Sequence, residues 1–170
     1  MELPKRPLTI TEYNTLKRKL CLSKQKIKDL LKRRNTFGDI VKVTDEILIY
    51  EGDNDLGGSI ALEPRRFLAQ CREFVAYVRK KSPDTRFYFL SIKPSTARMQ
   101  KWRAMKRGND LLRQYARSDP RIHYIDIASE MLNEDGTIKA GLIGKDGVHM
   151  TPAGYRIWSA VLRSSLVRSK

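Results

Sequence analysis

From Glu46 to Val167 the chain alternates short apolar runs with amphipathic stretches, and that alternation leaves few folds open. Glu46–Tyr50, Arg86–Ile92 and Arg121–Ile127 are dense in branched and aromatic residues and read as strands. Between them, Phe67, Leu68, Cys71, Phe74, Val75 and Val78 recur at helical spacing and predict a helix over 64–81. Trp102, Met105, Leu111, Leu112 and Tyr115 mark the inward side of a second, basic helix over 98–117. A closing helix runs over 152–167, with Pro152 in its first turn. Ser82-Pro83-Asp84 and Asn133–Gly136 are turns between these elements. Strands that each lead through a helix to the next strand imply an α/β fold, a parallel sheet covered by helices on both faces.

The first forty residues follow another pattern. Thr11–Leu20 and Lys24–Arg34 read as helices, the second capped by Ser23, and Asn35, Thr36 and Gly38 end it. The expected division is a basic helical segment over 1–38 and an α/β domain over 39–170. The net charge is +15, and much of the excess lies in Lys17–Arg34 and Arg98–Arg117. Such a surplus attracts polyanions without defining a fold, and both clusters also fit ordinary solvated helix faces. No apolar run approaches the roughly 20 residues that span a bilayer. Met1–Ile10 is broken by Pro4 and Pro7 and has no apolar signal core, so the default expectation is a cytoplasmic protein. Cys21 and Cys71 form no ligand-like cluster with His123 and His149, which argues against a disulfide framework or structural zinc.

Two short stretches carry the candidate chemistry. The first strand stops at Gly52-Asp53-Asn54-Asp55, a polar cluster at the strand's carboxyl end, where open α/β sheets bind their ligands. The second, Asp146-Gly147-Val148-His149, follows the last strand and precedes the last helix, so both can reach one rim. His149 suits a general base near neutral pH, and Asp146 suits a group that fixes its tautomer. Asn54 offers an amide donor to an oxyanion, and Gly52 a tight strand-end turn with Asp53 beside the substrate. Each stretch also fits a plainer role. An Asp-Gly turn beside a surface histidine is common, and Asp and Asn favour turns and caps. Asp53 and Asp55 would also suit a cation, although no calcium-loop spacing accompanies them. His123, within a strand, is most simply structural.

In combination these residues resemble a known family. Ile49-Tyr50-Glu51-Gly52-Asp53-Asn54-Asp55-Leu56 resembles the third conserved block of the SGNH (GDSL-type) esterase/lipase superfamily, and Asp146–Tyr155 its fifth. Phe89–Ser95 and Arg121–Asp126 fall between them in the family's order, so the resemblance covers roughly residues 40–168. It implies a flavodoxin-like three-layer α/β/α sandwich and cofactor-free hydrolysis of acyl esters or acetylated sugars. It also implies that Asn54 is an oxyanion donor, His149 the base and Asp146 its orienting partner, with Gly52 and Asp53 binding substrate.

The departure lies upstream. The family's nucleophilic serine precedes the third block, and here Ser23 is the only serine there, between Leu22 and Lys24 with no strand leading to it. Gly38 is the only glycine available for the second block. The first two blocks are therefore expected to be missing or replaced by the basic helices. Glu46–Tyr50 would then be a sheet edge, open to association unless Leu16, Leu20, Ile27, Leu30 and Leu31 cover it. The leading expectation is an SGNH-type ester hydrolase domain, truncated at its start, with activity an open question. The alternative is a non-catalytic basic protein that contacts nucleic acid or another polyanion. A third reading makes the first forty residues a wrong start or shifted frame.

Overall fold

The computed structural model describes residues 45–59, 61–80 and 82–167. The predicted helices over 11–20 and 24–34, Ser23, Gly38, the boundary at 38 and any cover they give the sheet lie outside these residues. Three strands, β1 (Glu46–Ile49), β2 (Arg86–Leu90) and β3 (Ile122–Ile125), form a parallel sheet in the order β1-β2-β3. Ile47 pairs with Phe87, and Phe87 in turn with Ile122. Among the described residues four α-helices accompany them: α1 (Asp53–Gly57), α2 (Pro64–Arg79), α3 (Trp102–Arg117) and α4 (Pro152–Val167).

Because strand side chains alternate between faces, the sheet sorts its apolar residues into two cores. Ile49, Phe87, Phe89 and Ile122 face one side and pack with Leu56, Phe67, Val78, Met105 and Leu112 of α1, α2 and α3. Tyr88, Leu90 and Ile125 face the other, against Trp158 and Leu162 of α4. Trp158 is fully buried, lies edge-on to Tyr50 at 4.7 Å, and directs its indole N–H to the Met131 sulfur at 3.3 Å. The result is the expected three layers. A buried aromatic residue takes some 150–250 Å² out of water, so Trp158 and Phe87 anchor one core each.

The elements depart from the sequence reading in several places, and β3 stops at Ile125 where Ile127 was expected. Gly52–Asp55, read as a strand-end turn, leads into the short helix α1. Gly52 opens it with φ of +106°. The predicted helix over 98–117 begins as a 3₁₀ turn, Thr96–Lys101, before α3. The second strand stops at Leu90, because Ile92 turns its backbone to a side chain instead of a strand. Asn109 of α3 accepts from the Ile92 N–H at 2.7 Å and donates to its carbonyl at 3.0 Å. That bidentate clamp ends β2 and aims the next residues, Lys93–Arg98, along the rim.

Candidate active site

Asp146 organises its own loop. Its Oδ1 accepts from the backbone N–H groups of Val148 and His149, both at 2.9 Å, the hydrogen bonds of an Asx turn. Its Oδ2 meets His149 Nδ1 at 2.5 Å. The Val148 amide, then the His149 ring and amide, hold the Asp146 carboxyl well below the usual carboxylate range. An ionised carboxylate only accepts, so neutral His149 carries its proton on Nδ1 and leaves Nε2 as an acceptor. The ring is 74% exposed, and among the described residues it bonds only to Asp146. The loop is closed by Gly144 N–H to His149 C=O at 2.7 Å, and Thr151, just before α4, donates its hydroxyl to Gly141 C=O at 2.6 Å. Gly147 has φ of +70°, and a Cβ there would meet Thr96 Oγ1 and Ala97 Cβ at 2.9 Å. Only glycine lets this loop lie so close to the one that follows β2.

The strand-end turn is built as tightly. A Cβ on Gly52 would sit 2.6 Å from Ile92 Cδ1 and 2.9 Å from Phe67 Cζ, so Gly52 is seated against the core. Asp53 was expected beside substrate, but its carboxylate turns inward and accepts from Tyr50 Oη at 3.2 Å, Lys93 Nζ at 2.9 Å and Arg98. Its side chain is 13% exposed, and two cations inside the protein hold it there. Gly52 and Asp53 thus support the rim. Asn54 is exposed and accepts from Arg98 Nη2 through Oδ1 at 2.8 Å.

Glu51 stands on the same rim. Burial, followed by the charges of Asp55 and Asp53, pushes its carboxyl up to about 8. Cys71 is buried, and burial pushes its thiol up as well, which makes it a poor nucleophile. His123, in β3, stacks on Tyr88 of β2 with ring centroids 4.6 Å apart. Among the described residues no group of His, Cys, Asp and Glu is arranged to hold a metal ion. No helix described is long and apolar enough to cross a membrane.

The segment after β2 joins the two loops. Lys93 Nζ donates to Asp53 Oδ2 and, at 2.7 Å, to the carbonyl of Val148. Ala97 N–H donates to Gly147 C=O at 3.0 Å, and Thr96 Oγ1 does so at 3.3 Å. One ammonium therefore touches the strand-end turn and the Asp146–His149 loop together. Sequence reasoning missed Lys93 and Arg98 as members of this rim. The available signal was two cations in the segment after a strand, opposite an acidic turn.

Residues 13–157 match the GDSL-like Lipase/Acylhydrolase family. Among solved structures, the chain is similar to a GDSL-like lipase from Bacteroides thetaiotaomicron, with a TM-score of 0.64 and 18% identity over 85% of this chain and 71% of that one. A protein described as a platelet activating factor from Streptococcus pneumonia gives a TM-score of 0.61 and 22% identity, covering 72% of this chain and 59% of that one. A peptidoglycan O-acetylesterase gives 0.58 and 18%, covering 78% and 41%. This chain thus spans less than two thirds of the length of the last two. At such identities the likeness shows a shared fold. No curated protein matches the sequence.

Proposed function

Because the chain belongs to the GDSL-like lipase/acylhydrolase family, we propose that this domain hydrolyses small acyl esters, acetyl esters of sugars included. His149 is the general base, Asp146 its orienting partner and Asn54 an oxyanion donor. The observation that carries this reading is the double contact of Lys93, which ties the turn bearing Asn54 to the loop bearing His149.

The chemistry follows from the polar groups left open. His149 Nε2 takes the proton from an attacking hydroxyl oxygen, and Asp146 steadies the imidazolium that forms. The Asn54 amide nitrogen, turned away from Arg98, donates to the carbonyl oxygen as it gains charge. One such donor is worth about 2.7–4 kcal/mol in the transition state. The sequence reading left the nucleophile unassigned, and Ser23, the upstream serine, lies outside the described residues. The polyanion reading rests on charge alone: of its two basic stretches, Lys17–Arg34 lies outside the described residues, and in Arg98–Arg117 the exposed cations include Lys101, Arg103, Lys106 and Arg107. The site's geometry does not call for it.

Hydrolysis of p-nitrophenyl acetate tests the proposal. A base of this kind contributes roughly 10²–10⁴-fold, so His149→Ala should lower the rate by about that factor. Equal rates for the wild type and this variant would remove the hydrolase reading.

A further inference from the structure

We propose that Arg98 is a positioning residue that sets the orientation of the Asn54 amide, a role that rests on the hydrolase reading above. Asn54 is exposed and lies in a helix of only five residues, so little else restrains its side chain. Arg98 reaches it from the 3₁₀ turn Thr96–Lys101. Nη2 donates to Asn54 Oδ1 at 2.8 Å, while Nη1 donates to the Asp53 carbonyl at 2.8 Å and to the Asp53 carboxylate.

Two features give this contact its direction. A guanidinium has donors and no acceptor, so the amide atom that meets it must be the oxygen. The Asn54 nitrogen, with both its hydrogens, is then on the other branch of the amide, left free to donate elsewhere. The guanidinium is also itself fixed. Its side chain is 16% exposed and its charge is matched by the Asp53 carboxylate, which Lys93 holds from the other side. The aliphatic stem lies over Gly57, where a Cβ would come within 2.8 Å of Arg98 Cδ. Asp53 is therefore the shared anchor: one cation on it orients the oxyanion donor, and the other fastens the His149 loop. Lysine could keep the charge on Asp53, but its compact ammonium lacks the planar fork that spans acceptors on two neighbouring residues.

The test uses ¹⁵N-labelled protein, with the Asn54 side-chain NH₂ signals identified by their disappearance in Asn54→Ala. In Arg98→Lys those signals should move toward free-amide positions and gain fast motion, while the backbone spectrum stays folded. Arg98→Gln serves as the second variant if the first does not fold. Unchanged Asn54 side-chain signals in a folded variant would overturn the proposal. With p-nitrophenyl acetate, Arg98→Lys should lower kcat tenfold or more with KM within twofold. On an Asn54→Ala background the same substitution should change kcat by less than twofold. Multiplicative losses would overturn the proposal, since Arg98 would then act through something other than Asn54. If the wild type shows no His149-dependent hydrolysis, the hydrolase reading fails, and the NMR measurement still decides whether Arg98 orients Asn54.

Discussion

Replacing Asn109 with leucine should be far more damaging than the similar size of the two side chains implies. Asn109 is 6% exposed and Ile92 is fully buried, and the two hydrogen bonds between them satisfy both backbone groups of Ile92. Leucine occupies nearly the same space but leaves a buried N–H and a buried C=O without partners. Each costs about 1–3 kcal/mol, and the added apolar burial returns roughly 1–2 kcal/mol. The net loss is then roughly 3 kcal/mol, or about 6–12 °C in Tm for a chain of this size. Urea unfolding followed by circular dichroism should show a lower midpoint with an unchanged slope. Asn109→Asp supplies a control with a defined sign. Its carboxylate has no donor for the Ile92 carbonyl at neutral pH, whereas protonation restores one, so its deficit should shrink as pH falls. An unchanged or higher midpoint for Asn109→Leu would refute the argument, because the two unpaired groups would then cost no more than the added apolar burial returns.

Two further predictions rest on groups near the same rim. Burial pushes the Glu51 carboxyl up to about 8 in the folded protein, against about 4.3 for an ordinary glutamate, so the folded protein keeps a proton that the unfolded chain releases between those values. Stability should fall as pH rises through that window, and Glu51→Gln should stabilise the protein by roughly 2–3 kcal/mol near pH 7. A wild-type Tm that stays level from pH 5 to 8, with no gain in the variant, would contradict this. On α3, a Cβ at Gly108 would meet Leu56 Cδ1 at 2.5 Å and Ile92 Cδ1 at 3.2 Å, and both partners are fully buried. Gly108→Ala should therefore lose roughly 1 kcal/mol net, overpacking outweighing the better helix propensity of alanine; a higher Tm would refute it.

Among the described residues, periodicity alone located the three strands and the three long helices, because local hydrophobic spacing decides which face of an element can be buried. Phe67, Cys71, Val75 and Val78 were legible as one stripe, and that stripe packs on the sheet. The Gly52–Asp55 and Asp146–His149 stretches were legible as rim residues, because strand ends and turn chemistry are local properties too. The inward turn of Asp53 was not legible. From its neighbours alone, an aspartate after a strand-end glycine looks open to substrate. Its direction depends on Lys93 and Arg98, which are 40 and 45 residues away along the chain. The same holds for Asn109, a polar residue within a helix whose partner is the backbone of Ile92, 17 residues earlier.

The sequence by itself determined the alternation of elements, the two polar loops and the types of residue available for acid–base work. Only the tertiary structure decided which side chains meet on the rim and which way each one points. The physical reason is range. Helix and strand preferences are set within a few residues, whereas a carboxylate or an amide orients toward whichever donors folding delivers from distant parts of the chain.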